Sequence, residues 1–227
     1  MARSRVTDPV VLLPVVEKAR AAGIPVILLD RVVNTDKYAA YIGVDHYGIG
    51  QAAGTFAVNL LKGKGNIVEI WGFKESPTAG QHFGFYDVIK TNPNFRIIHE
   101  SEGKWEAEES RKIMEGLLSS GEKIDLVYAH DDTMALGAWE AARAAGREKE
   151  IKFLGVNADP GPQGGCQAVV DGKLEATFLY PTPGAEAVKQ AVLLFKGREI
   201  PKKITLPTIA VIKDFALQYA NRHRPPV

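Results

Sequence analysis

Short apolar runs alternate along the chain with longer stretches in which apolar residues recur every three or four positions. The first kind predicts strands over 24–29 (IPVILL), 40–44 (AYIGV), 66–71 (NIVEIW), 96–100, 124–129, 151–156 and 175–179, with a last extended stretch over 204–212. The second kind predicts helices over 9–22, 47–61, 78–90, 106–119, 133–145, 163–170, 183–196 and 215–222. Punctuation agrees with these bounds. Gly23, Gly63, Gly146 and Gly172 stand where helices close, and Asn92-Pro93-Asn94 reads as a turn. Strand–helix alternation at this spacing defines βαβ units and a mostly parallel sheet. The strand runs are apolar throughout, as expected when helices cover both sheet faces.

Composition narrows this α/β reading without changing it. The chain has 227 residues, 45% hydrophobic and 24% charged, enough to bury a sizeable core. A formal net charge of +1 gives no footprint for nucleic acid. The basic end Arg222-His223-Arg224 reads as a solvated tail. Cys166 is the single cysteine, so an internal disulfide is excluded, and it reads as a packing residue. The basic start, Met1 to Arg5, leads into no apolar h-region with a small-residue cleavage site, so no export signal is visible. No apolar run approaches the ~18 residues of a membrane span.

In open α/β sheets, ligands bind beyond the carboxyl ends of the strands. The residues just past each run are therefore the candidates: Asp30 and Arg31, Asp45, Gly72 with Gln81 and His82 in the helix beyond it, Trp105, His130-Asp131-Asp132, Asn157 and Tyr180. Carboxylates, an arginine, an amide and aromatics suit a polyhydroxyl ligand. Carboxylates accept hydroxyl hydrogen bonds and guanidinium donates in a fork. The rings of Trp105 and Tyr180 can cover C–H faces. Asp30 and Asp131 also fit turn or N-cap roles, and Asp132, ahead of Thr133-Met134, reads as an N-cap. Trp71 and Trp139 read as core. The spacing of His46, His82 and His130 gives no metal triad, so neither a metal nor a cofactor is expected.

Enzyme signatures are absent: there is no G-x-S-x-G elbow, no Walker A loop and no H-E-x-x-H. Gly48-x-Gly50 followed by Ala53-Gly54 loosely matches a dinucleotide fingerprint, but it falls inside a helix rather than at a strand–helix turn. An acid/base or metal role for His130, Asp131 and Asp132 is the enzymatic alternative.

Four segments carry a resemblance: PVVEKARAAGIPVILLDR at 14–31, VYAHDDTMALGAWEAARAAG at 127–146, FLGVNADP at 153–160 and VVDGKLEATFLYP at 169–181. They resemble the sugar-binding proteins of bacterial ABC transporters, the group with ribose and galactofuranose receptors, to which the effector domains of lac-repressor-type regulators are related. The resemblance implies a type I periplasmic binding protein fold, with two Rossmann-like lobes and a hinge that close around a monosaccharide in the cleft between them. It implies delivery to an ABC permease or a membrane sensor, and a periplasmic or otherwise extracytoplasmic location. Position by position it assigns ligand contacts to Asp30, Arg31, Gln81, Trp105, Asp131, Asn157 and Tyr180. Asp131 takes the place of a residue that is often Asn. Asn157 stands where the family usually has Asp, Tyr180 where it often has Gln, and Gln81 where an Arg commonly precedes a Gly-Phe pair, here Gly84-Phe85.

Family members open with further strand–helix units ahead of the matched segment. The resemblance therefore implies an incomplete first lobe, residues 1–43 and 180–209, beside an intact second lobe of 44–179 and 210–227. The strand at 24–29 would then present an apolar edge, and pairing of two copies along it is expected. An extracellular sensing domain of a signalling protein and a regulator's effector domain remain the alternatives to a transport receptor.

Overall fold

A computed structural model describes residues 9–74 and 78–222. The chain forms two compact units, 1–45 with 181–207 and 46–180 with 208–227, and crosses between them at 45/46, 180/181 and 207/208. Each crossing lies one or two residues from the 43/44, 179/180 and 209/210 read from sequence. Tyr180 thereby belongs to the second unit.

The chain begins in the first unit with α1 (Pro9–Ala21), β1 (Ile27–Leu29) and β2 (Ala40–Val44). In the second unit it forms α2 (His46–Leu60), β3 (Gly65–Trp71), α3 (Ala79–Ile89), β4 (Phe95–Glu102), α4 (Ala107–Ser119), β5 (Leu126–Ala129), α5 (Asp132–Ala144), β6 (Lys152–Asn157), α6 (Gly165–Val170) and β7 (Ala176–Leu179). It returns to the first unit for α7 (Gly184–Phe195) and β8 (Lys203–Leu206), then ends in the second with β9 (Ala210–Val211) and α8 (Lys213–Arg222). The extended stretch expected over 204–212 is thus two short strands in two sheets. Pro207 falls at the break, and proline cannot donate to a ladder.

The first unit holds a three-stranded parallel sheet in the order β1-β2-β8. Its core gathers Val16 of α1, Leu28 of β1 and Val33, with Leu12, Leu13, Val26, Tyr38 and Tyr41 packed on them. The α1 helix closes at Gly23, whose φ of 76° only glycine adopts freely. Among the described residues, β1 pairs with β2 alone, so its other side is an edge. Around it Ile24, Leu29 and Val32 are exposed, and α7 exposes Val188, Val192 and Phe195 at helical spacing.

The second unit holds a six-stranded sheet, β4-β3-β5-β6-β7-β9, parallel except for the last strand. Both faces are covered, which explains why all four residues of β5 are buried. One face carries Val68, Ile70, Val127 and Ala129 into a cluster with Met114 of α4, Met134 and Ala138 of α5 and Ala216 of α8. The opposite face carries Glu69, Trp71 and Tyr128, since side chains alternate along a strand. Phe85 of α3 stacks on Tyr128 with centroids 4.5 Å apart.

The glycines that mimic a dinucleotide fingerprint have a packing role in α2. A Cβ on Gly50 would lie 2.0 Å from the carbonyl oxygen of Gln81, and one on Gly84 of α3 would lie 2.0 Å from that of Tyr47. The two helices touch backbone to backbone at this crossing. Cys166 is buried, its thiol donating to the Ala158 carbonyl at 3.2 Å, and burial pushes its pKa up to about 12. It is the packing residue expected. Trp71 is buried, while Trp139 is only half-buried, with Arg143 and Lys173 over its ring.

Candidate functional site

In the first unit Asp30 and Arg31 follow β1. Asp30 keeps the sheet ladder, its N–H bonding Ile42 O at 2.9 Å, yet takes a left-handed backbone with φ 63°. Its carboxylate lies 3.5 Å from Arg31 Nε, and its carbonyl accepts the Tyr41 hydroxyl at 3.1 Å. Both side chains keep about a quarter of their surface exposed. They form a paired donor and acceptor at the end of a strand.

In the second unit four candidates stand past the carboxyl ends of β4, β5, β6 and β7. Trp105 follows β4 with φ 65°, after Lys104 at 56°. Its half-buried ring lies over Gly72, where a Cβ would meet it at 1.9 Å, so this strand end must be glycine for the indole to lie flat there. Asn157 ends β6 exposed, with φ 120°, and Ala158 follows at 55°. Tyr180 donates its backbone N–H to Asn157 O at 3.3 Å and packs its ring 5.6 Å from that of His46. Left-handed backbone at a non-glycine residue costs on the order of 1–3 kcal/mol and is characteristic of ligand-binding positions. Asp30, Trp105 and Asn157 all carry it.

Asp131 is the N-cap of α5, accepting the Met134 N–H at 2.7 Å. Burial raises its pKa to about 6 against the pull of the backbone donors of Met134 and Thr133. Asp132, read from sequence as the cap, is instead the first helical residue and is buried. The helix starts one residue earlier than its apolar periodicity suggests, and this turns Asp132 inward. There Asp132 Oδ1 lies 2.6 Å from the Thr177 hydroxyl, and Oδ2 accepts the Ala158 N–H at 2.9 Å. Gly155 and Gly165 make room for it, since a Cβ on either would lie within 2.2 Å of its carboxyl. Burial pushes the Asp132 pKa up to about 8, so the group is largely protonated at neutral pH. Its place is therefore to tie α5, β7 and the turn after β6 together beneath Asn157.

Gln81 lies in the first turn of α3, 1% exposed, with Oε1 accepting the Tyr128 hydroxyl at 3.4 Å. It sits within the packed face rather than at a strand end. His130 likewise does not join its sequence neighbours Asp131 and Asp132. It turns to the opposite side and meets Glu69.

That pairing is the feature a reading of strand ends missed. Glu69, mid-strand and fully buried, takes His130 Nε2 at 3.0 Å on Oε1 and His82 Nδ1 at 2.9 Å on Oε2. Burial opposes the Glu69 charge, but the hydrogen bonds of His130 and His82 outweigh it and lower its pKa. Burial likewise pulls the His82 pKa down, and the bond and charge of Glu69 more than reverse this, leaving it raised. The two shifts describe one charged pair held off the water. The signal was present in the sequence: one acid inside the otherwise apolar run NIVEIW must find a partner if that strand is buried on both faces.

This α/β architecture places polar and aromatic residues past the carboxyl ends of parallel strands, where open α/β sheets bind their ligands. The periplasmic binding protein domain matches residues 5–199, and the chain belongs to that family. It is 36% identical over 180 residues to a D-apiose import binding protein of Paraburkholderia graminis, covering 78% of this chain and 56% of the relative. It is 32% identical over 202 residues to the galactofuranose-binding protein YtfQ of Escherichia coli, covering 85% of this chain and 63% of that protein. The chain thus spans less than two thirds of these curated relatives. Among solved structures, the fructose-binding periplasmic domain of a hybrid two-component system is 41% identical, with a TM-score of 0.87 over 93% of this chain and 71% of its own. An ABC transporter solute-binding protein of Bacillus halodurans with bound myo-inositol is 26% identical, with the same TM-score over 95% and 75%.

Proposed function

We propose that the chain is a receptor that binds a monosaccharide without transforming it and passes it, outside the cytoplasm, to an ABC importer. The observation that carries this reading is the chemistry past the strand ends. Asp30 and Arg31 in one unit, and Trp105, Asp131, Asn157 and Tyr180 in the other, offer hydroxyl acceptors, a forked donor and ring faces. Strained backbone at Asp30, Trp105 and Asn157 is consistent with positions held for a ligand. Gln81 contributes indirectly in this scheme, by fixing α3. The names of the relatives, apiose and galactofuranose import proteins among them, support the class of ligand.

A thermal-shift screen of pentoses, hexoses and cyclitols against the full chain tests it. A cognate sugar at a hundredfold excess over its Kd should stabilise by about 2.7 kcal/mol. Asp131→Asn keeps an equally good cap while removing the charge, so it should melt within a few degrees of the parent and lose most of the sugar-induced shift. A panel in which no sugar moves the melting temperature would end the receptor reading.

A second reading has its own support. The structure at 41% identity is the fructose-binding periplasmic domain of a hybrid two-component system, which supports a sugar sensor as the second reading. Neighbouring permease and ATPase genes would favour transport, and a kinase in the same polypeptide would favour sensing.

Self-association belongs to the same proposal. The side of β1 that pairs with no strand among the described residues, with exposed Leu29 and the Val188–Val192–Phe195 row of α7 in the same unit, fits a second copy of the chain. Sedimentation velocity should show a concentration-dependent dimer that Leu29→Lys shifts to monomer. An unchanged sedimentation coefficient from micromolar to hundreds of micromolar would exclude it.

A further inference from the structure

The sugar reading gives the Glu69 cluster no task. Glu69 and Glu100 face each other across the β3–β4 pair in register, and His82 reaches the same point from α3. One nitrogen of His82 and one carboxylate oxygen from each glutamate lie within 4.8 Å of one another. The three are graded from core to surface: Glu69 is fully buried, His82 mostly buried and Glu100 exposed. We propose that Glu69, His82 and Glu100 form a binding site for a divalent transition-metal cation of the zinc type.

The donor set selects the metal. One imidazole and two carboxylates suit zinc and its neighbours, whereas calcium and magnesium take oxygen donors alone. A tetrahedral zinc with bonds of about 2.0–2.2 Å holds its ligand atoms roughly 3.3 Å apart. The 2.9 Å between His82 Nδ1 and Glu69 Oε2 must therefore open by only a few tenths of an ångström, with Glu100 closing in from the surface. Two carboxylates and a neutral imidazole balance the double charge of the cation. The exposed side, by Glu100, leaves a coordination position to water.

The outer support of such a site is already built. His130, itself fully buried, holds the other oxygen of Glu69 and fixes the orientation of the carboxylate. A buried partner that orients a ligating group is characteristic of protein metal sites. Its Nδ1 makes no hydrogen bond, so the ring has a single polar commitment, and that is to Glu69. Trp71 packs its indole 4.3 Å from the His82 ring and 5.3 Å from that of His130, giving the site an apolar wall. Glu102, next on the same face of β4, is engaged elsewhere, accepting the Lys74 N–H at 2.7 Å.

The experiment is titration of the full chain with Zn2+ alone, read by calorimetry and melting temperature, and with Ni2+, read by tryptophan fluorescence. The expected result is a single site whose occupancy raises the melting temperature, and Ni2+ quenching that Trp71→Phe removes. His82→Asn and Glu100→Gln should each weaken Zn2+ binding by at least ~100-fold, since loss of even an outer partner costs about 10–100-fold. Glu102→Gln should leave it unchanged. Glu100 is exposed, so its variant keeps the fold and the test does not depend on a core substitution. No Zn2+ effect, or an effect that survives both His82→Asn and Glu100→Gln, overturns the proposal. Neither outcome bears on the sugar screen, which is run without metal.

Discussion

Replacing Asp132 with asparagine should abolish most of the loss of stability that this protein undergoes between about pH 4 and pH 8. The carboxyl holds its proton up to about pH 8 in the folded chain, against an ordinary value of 3.8. Between those values the unfolded chain has released a proton that the folded chain keeps. The unfolded state thus binds fewer protons, and stability falls as pH rises, by up to ~1.4 kcal/mol per pH unit. Over the full interval this amounts to on the order of 5 kcal/mol, complete once pH passes the folded value. Asparagine reproduces the protonated form. Its amide nitrogen can donate to Thr177 Oγ1 while its oxygen accepts the Ala158 N–H now bound to Oδ2. The variant and the parent should melt together near pH 4 and diverge steadily above it, the variant being the more stable at pH 8. The smaller fall that remains in the variant, ending near pH 6, belongs to Asp131. Melting temperature against pH for the two proteins decides the matter: parallel curves would mean that Asp132 ionises freely in the folded chain.

Gly84→Ala should cost roughly 3 kcal/mol, at the upper end of what overpacking a well-packed interior usually costs. In an isolated helix the same change would stabilise, since alanine is the better helix former by about 1 kcal/mol. The sign reverses because the new methyl would lie 2.0 Å from the Tyr47 carbonyl oxygen and 2.9 Å from Gln51 N, backbone atoms that cannot rotate away. To accommodate it, α2 and α3 must separate, and that lifts Phe85 from Tyr128 and shifts Gln81 and His82 together. Chemical denaturation of the variant should show a lower midpoint with an unchanged slope. Gly116→Ala, on α4 with nothing within 4 Å of a new Cβ, is the matched control and should be neutral or stabilising. Equal effects at both positions would show that the α2–α3 crossing is looser than described.

The two expectations mark where a sequence stops being informative. Apolar periodicity placed the helices and, apart from the split last stretch, the strands to within a few residues, because burial on both faces of a parallel sheet leaves apolar runs. The strand-end positions followed from that alternation, so Asp30, Arg31, Trp105, Asp131, Asn157 and Tyr180 could be named before any fold was seen. Family membership was legible in the same segments. The roles of neighbours were not. Asp131 and Asp132 are adjacent and chemically identical, yet one caps a helix and the other lies sealed between two glycines. Only the exact starting turn of α5 separates them. Glu69, His82, Glu100 and His130 are spread over 61 residues of sequence, and no spacing rule joins them. The register of β3 with β4 and β5, together with the packing of α3 on that face, brings them together. The close contact of Gly50 and Gly84 is likewise a property of two helices meeting. Hydrophobic pattern is a local quantity and determined the elements. Register, helix start and crossing contact depend on residues far apart in the chain, and the tertiary structure alone decided them.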